Sequence, residues 1–353
     1  MSGTEVVTLR AAWFSFSAWK TVEVRAAINE ACRSFSVQTT EHPGEWAFPP
    51  GTPIQLAAGA DLLLDGYVNK YSARGSDKAH DVKIAGRSRS QDLVDCAAVH
   101  PKGYAKDRTT AEFVSECSDR LGVEIRDELG LARKAMQQLY QGETCYRLAE
   151  RYLRGHGATV MGNADGSASI TNASKAARAA GALVEGVNIK EWSVDFDDQD
   201  RHSEYTVKGQ ARYGTGSDAL RIKEQAADDG VARYRPRIIV AETDTDKAGA
   251  RERAEHEKER AAGNAIRGEV TVQGWRDAAG KLWTPNTLIF VASPTLMHLE
   301  QDMLIESVTF EQDDRGGTTA QLGLVDPRSY RGRGHDGKKS DKAWNNGWSR
   351  RRK

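Results

Sequence analysis

The residues best suited to chemistry are few, and their spacing excludes most active sites. Histidines stand at positions 42, 80, 100, 156, 202, 256, 298 and 335. They form no H-E-x-x-H motif and no i, i+4 pair, so no helical face offers two imidazoles to a metal. Asp195, Asp197, Asp198 and Asp200 cluster. A calcium loop counted from Asp195 needs Gly at its sixth position and Glu at its twelfth, where this chain has Asp200 and Thr206. A solvated turn at a strand end accounts for the cluster. Gly332-Arg-Gly334-His-Asp-Gly337 matches G-x-G-x-x-G. No strand precedes it and no helix follows it to place a phosphate at a helix N-terminus. A G-x-S-x-G elbow is absent, and Asn172-Ala173-Ser174 carries no weight as a glycosylation acceptor without a secretory signal. The expectation is no catalytic residue, no metal and no cofactor.

Two basic groups remain. Arg233, Arg235 and Arg237 alternate around Pro236, which marks an edge strand. The strip either blunts that edge with charge or forms a subunit-interface strip against an acidic surface. The second group is the C-terminal arm. Residues 331–353 carry a net +7 and residues 1–330 a net −7. Trp344 and Trp348 precede Arg350, Arg351, Arg352 and Lys353. Such an arm suits phosphate contact with base stacking, docking on an acidic partner protein, or a solvated tail without a fixed role.

Lys+Arg and Asp+Glu both number 50 in 353 residues, so the whole chain is not a basic nucleic-acid binder. No apolar run approaches the ~18–20 residues of a membrane span. Met1–Glu5 lacks the basic-then-apolar start of a signal peptide. Cys32, Cys96, Cys117 and Cys145 have neither metal-ligand nor redox spacing, which predicts reduced thiols of a cytoplasmic product.

The positioning elements follow from periodicity. Residues 4–95 alternate polar and apolar in short runs, which predicts a small antiparallel sheet or barrel. Residues 105–172 predict a helix over 109–121, a short strand, a second helix over 143–155, and a hairpin around Asn163-Ala-Asp-Gly166. Residues 173–182 read as a linker. Strands resume at Leu183, interrupted by an alanine-rich charged helix over 246–266. The expected fold is mainly β with α+β insertions: two similar β-barrel (tube-type) domains plus small α+β domains. The expected boundaries are 1–100 for the first barrel, 101–180 for an α+β domain, 181–210 with 287–330 for the second barrel, 211–286 for an inserted region, and 331–353 for a basic tail.

The similarity of the two barrels rests on five ordered matches. Trp19–Val24 parallels Trp192–Phe196, and Arg33–Gln38 parallels His202–Lys208. Pro53–Ala57 parallels Thr287–Ala292, Asp61–Val68 parallels Asp302–Thr309, and His80–Ile84 parallels Thr319–Leu324. Duplication of one barrel explains the order; generic alternation in two unrelated sheets is the alternative. Paired barrels let a closed trimer present six similar units.

The second half carries a resemblance. Asn188–Gln210, Arg233–Glu242, Val272-Gln-Gly-Trp-Arg-Asp277 with Trp283-Thr-Pro-Asn286, and Met303–Phe310 followed by Gly316-Gly317-Thr318 together resemble the baseplate hub (tail) protein of Mu-like contractile-tailed phages. The resemblance extends to the late-control D family and the hub half of type VI spike proteins. It implies a non-enzymatic homotrimer joining the hexameric tail tube to the trimeric central spike. Implied partners are the spike, the tail tube or tape-measure protein and other baseplate proteins, with DNA only in transit through the bore. It further implies a virion location after assembly in the bacterial host cytoplasm. The net-negative body suggests an acidic bore that repels DNA. A tail-associated cell-wall hydrolase is the alternative from another class.

Overall fold

The computed structural model describes residues 5–40, 48–76, 80–211, 221–241, 244–293, 295 and 299–331. The first half is built from β1 (Val7–Ala11), β2 (Phe14–Phe16), β3 (Thr21–Ala27), β4 (Ser34–Thr39), β5 (Pro53–Ala58), β6 (Asp61–Gly75) and β7 (His80–Ser88). Alternation dictates these strands. Val22, Val24 and Ala26 of β3 and Phe35 and Val37 of β4 are buried, while Glu23 and Arg25 face out.

Helix α1 (Gln91–Asp95), strand β8 (Tyr104–Ala105), helix α2 (Thr110–Ser118), strands β9 (Ile125–Asp127) and β10 (Gln137–Gln138), helix α3 (Cys145–Leu153) and the hairpin β11 (Thr159–Gly162) and β12 (Ala168–Thr171) follow. Thr109 caps α2 in a reciprocal capping box with Glu112. Phe113, Val114, Leu148 and Ile170 meet in a core separate from that of the large sheet. Arg33 ties the two units together: its Nη1 donates to Leu63 O at 3.0 Å and its Nε to Gly162 O at 3.2 Å. Asn172 is buried and caps a short 3-10 turn by accepting from Ser174, a structural role.

The expected linker is in fact mostly strand β13 (Ala177–Val184), paired in parallel with β19 (Thr287–Ser293). Its small side chains permit the pairing, and its register shifts between Arg178 and Ala182, where Gly181 takes φ +86°. Strand β14 (Ile189–Phe196) pairs with β18 (Ile266–Gln273). Between them, β15 (Glu204–Gly209), β16 (Ile222–Ala227), β17 (Pro236–Val240) and helix α4 (Lys247–Asn264) form a separate unit. Ala250 and Ala254 of α4 pack with Val207, Ile222 and Ala226, the close approach that an alanine face allows. Strands β20 (Leu299–Asp313) and β21 (Gly317–Val325) complete the chain of elements.

One thirteen-stranded sheet runs through both halves in the order β14-β18-β21-β20-β3-β4-β7-β6-β5-β1-β2, with β19 on β20 and β13 on β19. The halves repeat in strand order. β3-β4-β7-β6-β5 in the first corresponds to β14-β18-β21-β20-β19 in the second. Two expectations change. His202–Lys208, matched in sequence to β4, lies in the separate three-stranded sheet; the strand occupying the β4 place is β18, which the sequence reading had put in the insertion. Short amphipathic strands look alike, and only pairing distinguishes them. Among the described residues the strand path is also open, not two closed barrels. One edge of β20 is shared by β19 at residues 299–305 and β3 at residues 307–312, so the halves open into each other.

Candidate functional site

The sheet has one apolar face and one polar face across both halves. The period of two forces this. On the apolar side, Val24, Phe35, Ile84, Val270, Phe310 and Leu322 belong to a single core cluster. Trp275 anchors it, with its Nε1 donating to Thr319 O at 2.9 Å and its ring 5.2 Å from that of Phe310.

On the opposite side the cross-strand neighbours are polar. From the second half come Glu191, Ser193 and Asp195 of β14, Arg267, Glu269 and Thr271 of β18, Gln321 of β21, and Thr309 and Glu311 of β20. From the first come Glu23 and Arg25 of β3, Ser36 and Gln38 of β4, Lys83 and Arg87 of β7, and Lys70, Ser72 and Arg74 of β6. Acids concentrate on the second-half strands and bases on the first-half strands. Glu311 faces Glu23 across the joint. Burial, then Glu23, Asp313 and Glu269, push its carboxyl above the usual range. A hollow of about 420 Å³ lies over the basic end, lined by Gln38, Lys70, Ser72, Arg74, Asp81 and Lys83.

A second polar junction ties the chain's start to its second half. Arg276 Nε is 2.6 Å from Glu5 Oε1, and its Nη1 is 2.5 Å from Asp61 Oδ2. Hydrogen bonds to those two carboxylates hold the guanidinium more firmly protonated than usual. Sequence reading missed both the polar face and this clamp. The period-two alternation was the available signal for the face; nothing local marks Arg276.

The expected site residues separate. Arg237 lies on β17, an edge strand, while Arg233 and Arg235 precede it. Arg235 turns inward and donates to Asp198 O at 2.8 Å and Gln199 O at 2.6 Å. Among the described residues no carboxylate pairs with any of the three arginines. Around them Tyr234, Ile238 and Val240 are exposed. Trp344, Trp348, Arg350, Arg351, Arg352 and Lys353, and the Gly332–Gly337 motif, lie outside the described residues. No group of three metal-ligating side chains gathers among the described residues, and none of their helices is long and apolar enough to cross a membrane.

Four family models match in succession along the chain. They are the N-terminal domain of Mu phage baseplate assembly protein GpP-like proteins (residues 6–88), the second domain of baseplate hub protein gp44-like proteins (90–172), the third domain of tail protein NMB1110-like proteins (201–256) and the fourth domain of Mu phage baseplate assembly protein GpP (246–332). Baseplate hub protein gp44 of Escherichia phage Mu is 32% identical over 338 residues, covering 92% of this chain and 88% of that protein.

The chain belongs to the Mu baseplate hub family.

The fold agrees. The 43 kDa tail protein of prophage MuSo2 from Shewanella oneidensis superimposes with a TM-score of 0.81 at 28% identity, over 92% of this chain and 99% of that one. The tail protein of Neisseria meningitidis MC58 gives a TM-score of 0.80 at 17% identity, over 93% and 99%. This hub-family chain is a structural protein of the phage tail baseplate, hence of the virion, and not an enzyme. The cell-wall hydrolase reading falls with that membership.

Proposed function

We propose that three copies of this baseplate hub protein close into a ring that joins the hexameric tail tube to the trimeric central spike. The observation that carries this reading is the strand-order repeat of β3-β4-β7-β6-β5 in β14-β18-β21-β20-β19. A subunit holding two similar tube-type units offers threefold symmetry to a spike and near-sixfold symmetry to a tube. The repeat departs from identity where a hub must differ. β1 runs antiparallel to β5 while β13 runs parallel to β19, and the β15–β17 unit interrupts only the second repeat.

In this reading the polar face lines the bore, through which DNA and the tape-measure protein pass. The uniformly acidic lining expected from the body's net charge is replaced by a segregated one, acids on one repeat and bases on the other. Assembly takes place in the host cytoplasm. Strand β17, with Arg233, Arg235, Arg237 and the exposed Ile238 and Val240, supplies a further subunit or baseplate contact. The basic arm with Trp344, Trp348 and Arg350–Lys353 reaches an acidic partner or nucleic acid.

Light scattering tests the ring. The expected mass is three times 38.8 kDa. A monomer at every concentration overturns it. Tails assembled without the protein are expected to lack the junction between tube and spike by electron microscopy.

A further inference from the structure

Cys96 and Cys145 are 49 residues apart in the chain, and tertiary pairing sets them face to face. Helix α1 ends at Cys96, whose backbone is extended at φ −97° and ψ 145°. Helix α3 begins at Cys145, directly after its cap Thr144. Ala97 and Thr144 form an isolated antiparallel bridge, and Ala98 N donates to Glu143 O at 2.9 Å. Antiparallel register counts outward from such a bridge, so Cys96 stands opposite Cys145. Opposed residues share one face, and their Cα atoms lie about 4.5–5.5 Å apart. Burial alternates as this register requires. Ala97 is exposed, whereas Ala98 and Cys145 are buried and Cys96 is half-buried. A disulfide spans Cα separations of about 4.4–6.8 Å, so the backbone already suits one here.

We infer that Cys96 and Cys145 form a latent cross-link of the virion, reduced while the chain is made and closed as a disulfide when the protein meets a small organic disulfide. Cytosolic thiols are kept reduced, and a virion protein works outside that compartment. The inference uses the virion location and does not depend on the ring reading. Access sets the order of events. Cys96 opens partly to solvent, while Cys145 lies behind it, fully buried. Burial first, then Cys96, raise the Cys145 thiol, so the two sulfurs are within electrostatic reach of each other. Cys117 shares the core of Cys145 and is itself buried. A reagent from solvent therefore meets Cys96 before either of them.

The chemistry is two exchanges. The Cys96 thiolate attacks one sulfur of the small disulfide RSSR, which forms a Cys96–SR bond and expels RS⁻. The Cys145 thiolate then attacks the Cys96 sulfur, which forms the Cys96–Cys145 bond and expels the second RS⁻. The two cysteines lose two protons and two electrons, and RSSR becomes two RSH. Burial of Cys145 makes the second exchange the slow one. Its place in the first turn of α3 offsets this, because the free N–H groups there favour a thiolate. The bond closes a loop that carries β8, α2, β9 and β10, whose strands are only two or three residues long. The core of this small unit is separate from that of the large sheet. Such a unit gains most from a cross-link that restricts its unfolded chain.

Peptide mapping of the full chain tests the cross-link. The four cysteines fall on four different tryptic peptides, residues 26–33, 90–102, 109–120 and 135–147. Folded wild-type protein, purified with reductant, is incubated overnight with oxidised glutathione, alkylated, digested and analysed by mass spectrometry. Peptides 90–102 and 135–147 are expected to be joined, and dithiothreitol is expected to separate them. Cys96→Ser is expected to abolish the link, and Cys117→Ser and Cys32→Ser to keep it. Labelling of Cys117 in mild urea reports opening of the α2 and α3 core, and the cross-link is expected to slow it at least ~10-fold. Three outcomes overturn the pairing: glutathione left on Cys96 with Cys145 free, four free thiols after the incubation, or peptide 135–147 joined to 109–120 instead. A cross-link that leaves the Cys117 labelling rate unchanged overturns its action as a lock.

Discussion

Phe310 of β20 lies directly across from Val24 of β3, so residues from opposite ends of the chain form the centre of one joint. Both are buried, and Trp275 packs on Phe310 from the same core. The two repeats therefore share one apolar cluster. Phe310→Ala leaves a large cavity there and is expected to cost about 3–5 kcal/mol. Urea denaturation followed by tryptophan fluorescence and by circular dichroism checks it. The wild-type large sheet is expected to unfold in one transition by both probes, with the variant's midpoint lowered. Separate transitions for the two halves would show that the joint does not couple them.

Gly86 has an ordinary backbone conformation but no room for a side chain. A Cβ there meets the carbonyl oxygen of Tyr67 and the ring of Phe35. Gly86→Ala is expected to push β7 from β6 and to cost about 1–3 kcal/mol. Gly155 is the control, since a Cβ there meets nothing within 4 Å. Gly155→Ala is expected to be neutral or to stabilise by up to ~1 kcal/mol through the unfolded chain. Equal effects of the two substitutions in thermal melts would refute the steric account.

His256 on α4 is buried, and burial followed by Arg331, Arg260 and Arg253 depresses its pKa to about 3. The unfolded chain takes up a proton near the ordinary value of about 6.5, whereas the folded chain does not. The stability this neutral imidazole contributes is thus complete above pH 6.5 and falls as pH drops from there toward 3. The slope is at most ~1.4 kcal/mol per pH unit. His256→Gln is expected to flatten the pH dependence of the urea midpoint over that window. An unchanged slope would assign the dependence to other groups, His156 first, whose pKa burial and Lys134 also lower.

The four cysteines are free thiols. Burial pushes Cys117 up to about 12 and Cys145 up to about 11. Thiolate is the reactive form, so both are expected to resist a thiol reagent at pH 8 in the folded protein and to react on denaturation. Mass spectrometry after timed labelling is the measurement. Rapid native labelling of Cys117 would mean that the α2 and α3 core opens readily.

Much of this protein was legible in local pattern. The alternation in β3, β4, β20 and β21, the Asn163–Gly166 turn and the alanine face of α4 depend on neighbours within a few residues, and the fold keeps them. The repeat was visible too, although one of its five matches went to β15, because the pattern of a half-buried strand does not say which sheet receives it. Tertiary structure alone decided the rest. That β3 docks on β20, that β18 takes the place of β4, that the small-residue run 177–184 becomes a strand, and that Arg276 reaches Glu5 and Asp61 all depend on pairings between distant residues. Strand edges are satisfied by whichever partner the whole chain brings to them.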